Sequence, residues 1–137
     1  MSKVKSKTLV LAIVCSIVLY LVDGLAHASS GWLFLQEAYG DLYEWAYDKR
    51  TPISDKETVV IIRRTLPEKE VVPANGFRKY NLRVVGIRIS DFKFSLYEEM
   101  WLDRDNRIVS HQYWDTNFRP IRDDEVYKVY CALRDRR

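Results

Sequence analysis

The chain has 137 residues, 47% of them hydrophobic and 13% aromatic, and a formal net charge of +3. So many large apolar side chains exclude a disordered chain, and the length leaves room for one ordinary domain but not for two separate cores. Two cysteines exclude a disulfide scaffold; with a charge this small and no nucleic-acid-reading motif, no nucleic-acid partner is expected.

At the amino end, Lys3, Lys5 and Lys7 precede an apolar run from Leu9 to Val22, and Ala26-His27-Ala28 follows. A basic start, a short apolar stretch and a small-residue tripeptide make a secretory signal peptide, with cleavage expected after Ala28. The competing reading keeps the segment, so that residues 8–28 form an uncleaved signal anchor. The run is shorter than the roughly 20 apolar residues a bilayer span requires. Retention would also place Asp23 where a carboxylate costs about 2.5–3.5 kcal/mol. Both readings hold the lysines in the cytoplasm and make residues 29–137 a single exported domain, periplasmic or otherwise extracytoplasmic. The charge then divides as +2 over residues 1–28, −3 over residues 29–57 and +4 beyond.

From Trp32 to Tyr47, Leu35, Ala38, Tyr39, Leu42, Trp45 and Ala46 recur with helical period, opposite Glu37, Asp41, Glu44 and Asp48. This predicts an amphipathic helix, capped by Ser29 or Ser30 and stopped before Pro52. Tyr39, Tyr43 and Tyr47 would then form a row that packs on a sheet.

Beyond Thr58 the composition turns β-branched and aromatic. Thr58–Leu66 and Tyr80–Ser90 read as strands, with Asn75-Gly76 a turn dipeptide between them. The apolar set of the second strand changes phase at Gly86, which predicts a β-bulge there and a curved sheet. Phe92–Leu102 and Arg107–Trp114 read as a hairpin around Asp103-Arg104-Asp105-Asn106, with Asn106 in the left-handed position. Setting Asp103 opposite Arg107 pairs Leu102 with Ile108, Glu99 with His111 and Tyr97 with Tyr113. After Pro120, acidic residues at 123–125, apolar residues at 126, 129 and 133 and a basic end favour a short helix over a strand.

The expected fold is therefore α+β: an N-terminal amphipathic helix packed on a curved four-stranded antiparallel sheet, with a short C-terminal helix. This element order resembles that of cystatin-like and NTF2-like folds. The resemblance rests on order alone and transfers no activity.

No catalytic, metal or nucleotide motif stands out. Glu99 opposite His111, ringed by Tyr97, Trp101 and Tyr113, is the one pairing with a geometric case for acid–base chemistry, and a cross-strand ion pair is the plainer reading. Glu98, beside Gln112, interrupts an apolar row: if that face is the core it is hydrogen-bonded there or marks a cavity mouth, and an edge position open to water is the plainer reading. Cys131 reads as a small packed residue. The isolated His111 leaves no metal site, and no cofactor is expected. The side chains suited to binding are Tyr97, Trp101, Tyr113, Arg83 and Arg88. The leading expectation is a small non-enzymatic interaction protein of a bacterial envelope, of accessory, assembly, inhibitor or immunity type, with an envelope protein as partner. The alternatives are a small cone-shaped enzyme or small-molecule ligand carrier using Glu99 and His111, and a single-pass subunit of a membrane complex whose N-terminal segment lies in the membrane.

Overall fold

The computed structural model describes residues 31–50, 52–114 and 116–136. The leader, its expected cleavage after Ala28 and the anchor alternative lie outside the described residues. No helix among the described residues is long and apolar enough to cross a membrane.

The fold is a curled antiparallel meander and one C-terminal helix. Its strands are β1 (Leu33–Ala38), β2 (Asp41–Tyr47), β3 (Thr58–Thr65), β4 (Tyr80–Arg88), β5 (Lys93–Leu102) and β6 (Ile108–Tyr113). They lie side by side in sequence order, so β1 and β6 are the edges among the described residues. A two-residue β7 (Arg119–Pro120) pairs with the start of β5, Lys93 facing Pro120 and Phe94 facing Arg119. The helix, α1, spans Asp124–Arg136.

This corrects the expected α+β fold. The segment taken for an N-terminal helix is the hairpin β1–β2, and the sheet has two more full-length strands than the four expected. Cystatin-like or NTF2-like order is therefore not obtained. The physical reason lies at Tyr39 and Gly40, which both take left-handed backbone (φ 57° and 84°), the conformation of a tight hairpin turn. Either side of that turn, Leu33 and Leu35, then Tyr43, Trp45 and Tyr47, alternate with period two. The same residues satisfy helical spacing, and pairing with the β-branched strand β3 decides between the two. Of the tyrosine row, Tyr43 is buried, Tyr47 stacks on Trp45 with centroids 5.4 Å apart, and Tyr39 projects from the turn.

The sheet separates two cores. One face is covered by α1: Val126, Val129 and Leu133 pack with Trp45, Val60, Ile62, Val85, Ile87, Ile89 and Ile121. The acidic start of α1 and Arg134 and Arg136 at its end match the helix dipole. The opposite face gathers Trp32, Ala46, Ile61, Leu82, Val84, Tyr97, Met100 and Leu102, with Phe118 from the β6–β7 connection against them. Strand β4 is buried on both faces, which is why its apolar residues occupy both parities.

The phase change at Gly86 accordingly has another cause than the one expected. Pairing of β3 with β4 is unbroken from Thr58–Ile87 to Thr65–Tyr80. The irregularity lies on β5: Val84 faces Glu98 and Val85 faces Leu96, leaving Tyr97 as the extra residue. Gly86 serves a close approach. A Cβ there would lie 2.7 Å from the Tyr97 hydroxyl and 2.6 Å from Glu57 Oε1, so only glycine lets the tyrosine ring cross the strand.

A second irregularity shifts the β5–β6 hairpin. Its turn forms as expected, with Asn106 at φ 61° and the Asp103 amide donating to the Arg107 carbonyl. Leu102 faces Ile108, but Val109 is then an extra residue, so Trp101 faces Ser110, Met100 faces His111, Glu99 faces Gln112 and Glu98 faces Tyr113. A one-residue slip exchanges faces. Glu99 and His111 therefore lie on opposite sides of the sheet, and neither they nor Tyr97 and Tyr113 oppose one another.

Candidate functional site

The register divides the expected site residues between the two faces. On the face opposite α1, the carboxylate that meets His111 is Glu98, whose Oε1 is hydrogen-bonded to His111 Nε2. Glu98 is 1% exposed and the His111 side chain 28% exposed. Glu98 is thus buried rather than open at an edge, and the imidazole covers it from the surface. The Tyr113 ring lies against the imidazole, centroids 4.6 Å apart. A buried carboxylate fixes the orientation of the ring it binds, and such a pair can relay a proton or anchor a strand.

Tyr97, on the same face, is a core residue at 4% exposure. Its hydroxyl donates to the Glu57 carboxylate. Burial, and then the hydrogen bond to Glu57, hold its phenol well above the usual range. Arg88 lies nearby, ion-paired with Asp91 at 2.9 Å and with its guanidinium 4.1 Å from the centre of the Phe118 ring. Arg63, half-buried, is paired with Glu44 at 2.6 Å and stacked 4.2 Å over Trp32.

On the α1 face, Glu99 accepts a hydrogen bond from Asn81 Nδ2 at 3.1 Å. Arg83, its cross-strand neighbour, reaches the start of α1, 3.6 Å from Asp123 and 4.0 Å from Glu125. Glu125 is held up by its hydrogen bond with Asp123 and by burial, while Asp123, against the effect of its own burial, is held down by Glu125 and the Arg83 guanidinium. Trp101 is half-buried under Arg78, whose guanidinium lies 5.6 Å from the ring centre. No group of three or more metal-binding side chains converges among the described residues. Cys131 is a free, half-buried thiol on α1.

The end of the sheet that carries the β1–β2, β3–β4 and β5–β6 connections forms one rim. Gly40 approaches Pro67, Glu68 pairs with Lys79 at 2.7 Å and with Arg104 at 2.6 Å, and Gly76 approaches Val109. Two aromatic residues stand out on this rim. Tyr39 is 100% exposed and Phe77 48% exposed, and both have φ 57°. Left-handed backbone costs a bulky L-residue about 1–2 kcal/mol, so neither conformational preference nor burial explains these side chains. Sequence reading passed over Phe77 and placed Tyr39 on a helix. The available signal was the adjacency of each aromatic to a turn glycine, Tyr39-Gly40 and Gly76-Phe77.

Neither a family model nor a curated protein nor a solved structure matches this chain.

Proposed function

We propose that this protein is a non-enzymatic interaction module on the extracytoplasmic side of a bacterial envelope, and that it captures a protein partner with the rim bearing Tyr39 and Phe77. The address rests on the leader pattern of residues 3–28. The observation that carries the binding reading is the pair of exposed aromatics in left-handed backbone on touching connections. Strain of this kind is retained where a side chain must be presented, and tyrosine and arginine dominate interface energies. Arg78, Arg104 and exposed Val72 extend the same surface.

Replacing Tyr39 with a photo-crosslinking phenylalanine analogue tests this. The expected result is a single adduct with one envelope protein, abolished by Phe77→Gly, in a domain whose melting temperature is unchanged or higher. Absence of any adduct, or an adduct insensitive to Phe77→Gly, would overturn the reading.

The Glu98–His111 pair favours a second reading, ligand binding or proton transfer at the opposite face. It requires that Glu98→Gln abolish activity or ligand retention while the fold persists.

A further inference from the structure

The antiparallel meander gives the sheet two ends, of which one is the rim of Tyr39 and Phe77. At the far end lie the start of β1, the β2–β3 connection and the β4–β5 turn. The last two meet where the Ser90 amide donates to the Asp55 carbonyl at 3.1 Å. Among the described residues, the large apolar side chains exposed at the far end are all aromatic: Phe34, Phe92, Trp114 and Tyr127, together with Tyr113 against His111. The exposed aliphatic ones, Val72, Ile108 and Val109, are all at the rim. Phe92 stands in left-handed backbone (φ 57°), its ring edge-on to Tyr127 and Tyr130 of α1 with centroids 6.0 and 4.8 Å apart.

The far end also holds spare positive charge. Its carboxylates are engaged: Asp48 pairs with Arg50 at 2.9 Å, Asp91 with Arg88 at 2.9 Å and Asp135 with Arg134 at 3.6 Å. Lys49, Lys56, Lys93 and Arg119 have no carboxylate partner among the described residues. Arg119 lies instead over the Phe94 ring, 5.1 Å from its centre.

We propose that the far end rests on the headgroups of an anionic phospholipid bilayer. Aromatic rings without aliphatic neighbours suit the boundary between headgroups and acyl chains, where tyrosine and tryptophan collect. Unpaired cations beside those rings match lipid phosphates and are drawn to a negative surface. Position agrees with both. Strand β1 starts at this end, and only residues 29–31 separate the leader from Trp32, which is buried in the core. Three residues reach at most about 10 Å. A retained leader therefore delivers this end to the membrane and leaves the rim pointing away from it. The choice of surface rests on the leader reading and not on the Tyr39 and Phe77 rim.

The purified full chain, reconstituted with vesicles and carrying a photo-crosslinking phenylalanine analogue in place of Phe92, Tyr127 or Tyr39, tests the contact. With phosphatidylglycerol in the vesicles, phospholipid adducts should form at the first two positions and not at the third. In phosphatidylcholine alone their yield should fall about fivefold. Lys93→Gln with Arg119→Gln should lower the yield by about the same factor where phosphatidylglycerol is present and have no effect where it is absent. Lys49→Gln with Lys56→Gln, in a different connection, should repeat that result. Equal lipid labelling at all three positions would reduce the contact to tethering by the leader and overturn the inference. So would the absence of lipid adducts at Phe92 and Tyr127, or yields indifferent to lipid charge. None of these outcomes bears on a protein adduct at Tyr39, which is a separate measurement.

Discussion

The two faces of the sheet are built on different terms. Under α1 the packed apolar cluster runs from Trp45 and Val60 to Val129 and Leu133, and a buried polar residue on that face, Asn81, donates to Glu99. Across the sheet the apolar cluster encloses or abuts three polar pairs: Glu98 with His111, Tyr97 with Glu57, and Arg63 with Glu44. The first face is held by area removed from water, which is tolerant of detail. The second depends on partners meeting, because an unpaired buried polar group costs more than a satisfied one contributes. The Glu98–His111 and Tyr97–Glu57 pairs therefore make the second face the more sensitive to a lost partner, and the larger apolar cluster makes the first the main source of bulk stability.

Substitutions can break or sharpen this contrast. The largest loss is expected under the helix. Leu133→Ala removes a fully buried side chain and should cost about 2–5 kcal/mol in chemical denaturation. Gly86→Ala comes next, at about 1–3 kcal/mol, since its new methyl group would meet Tyr97 and Glu57 below van der Waals distance. Combining it with Tyr97→Leu should recover part of that loss; no recovery would mean that the ring crossing is not what requires the glycine. His111→Ala should cost about 1–2 kcal/mol by uncovering the Glu98 carboxylate, and Glu98→Gln in the same chain should restore most of it. If His111→Ala is neutral, the pair is not structural.

Tyr97→Phe should have the smallest effect at neutral pH, about 1 kcal/mol, and a larger one on alkaline behaviour. The phenol is held above its ordinary value of 10.0 in the folded chain. Its contribution is therefore fully present below that value, and it declines at higher pH as the unfolded chain ionises first. Urea midpoints measured between pH 9 and 11 should fall less steeply in Tyr97→Phe than in wild type.

The sequence was legible where one rule acted alone. Strands β3 and β4 lie within two residues of their expected bounds, because a β-branched run has a single reading, and at helix α1, where the apolar spacing suited helix and strand alike, the acidic start and basic end decided correctly for helix. The segment 32–47 was misread because Leu35, Ala38, Leu42 and Trp45 fit period 3.6 while Leu33, Leu35, Tyr43 and Trp45 fit period 2. Only pairing with β3 separates these. The site failed on a count of one: the extra residue at Val109 replaces Glu99 by Glu98 as the histidine's neighbour. A carboxylate in the middle of a strand also gives no sign of being buried, since its partner is distant in sequence.

The bulge at Tyr97 has a consequence for how such a chain could diverge. Leu96 faces α1 and Glu98 faces the other core, so Tyr97 can be deleted without changing the side taken by any other residue of β5. A sequence shorter by this single codon would keep every inside–outside assignment. It would straighten the sheet and remove the ring that crosses the strand at Gly86.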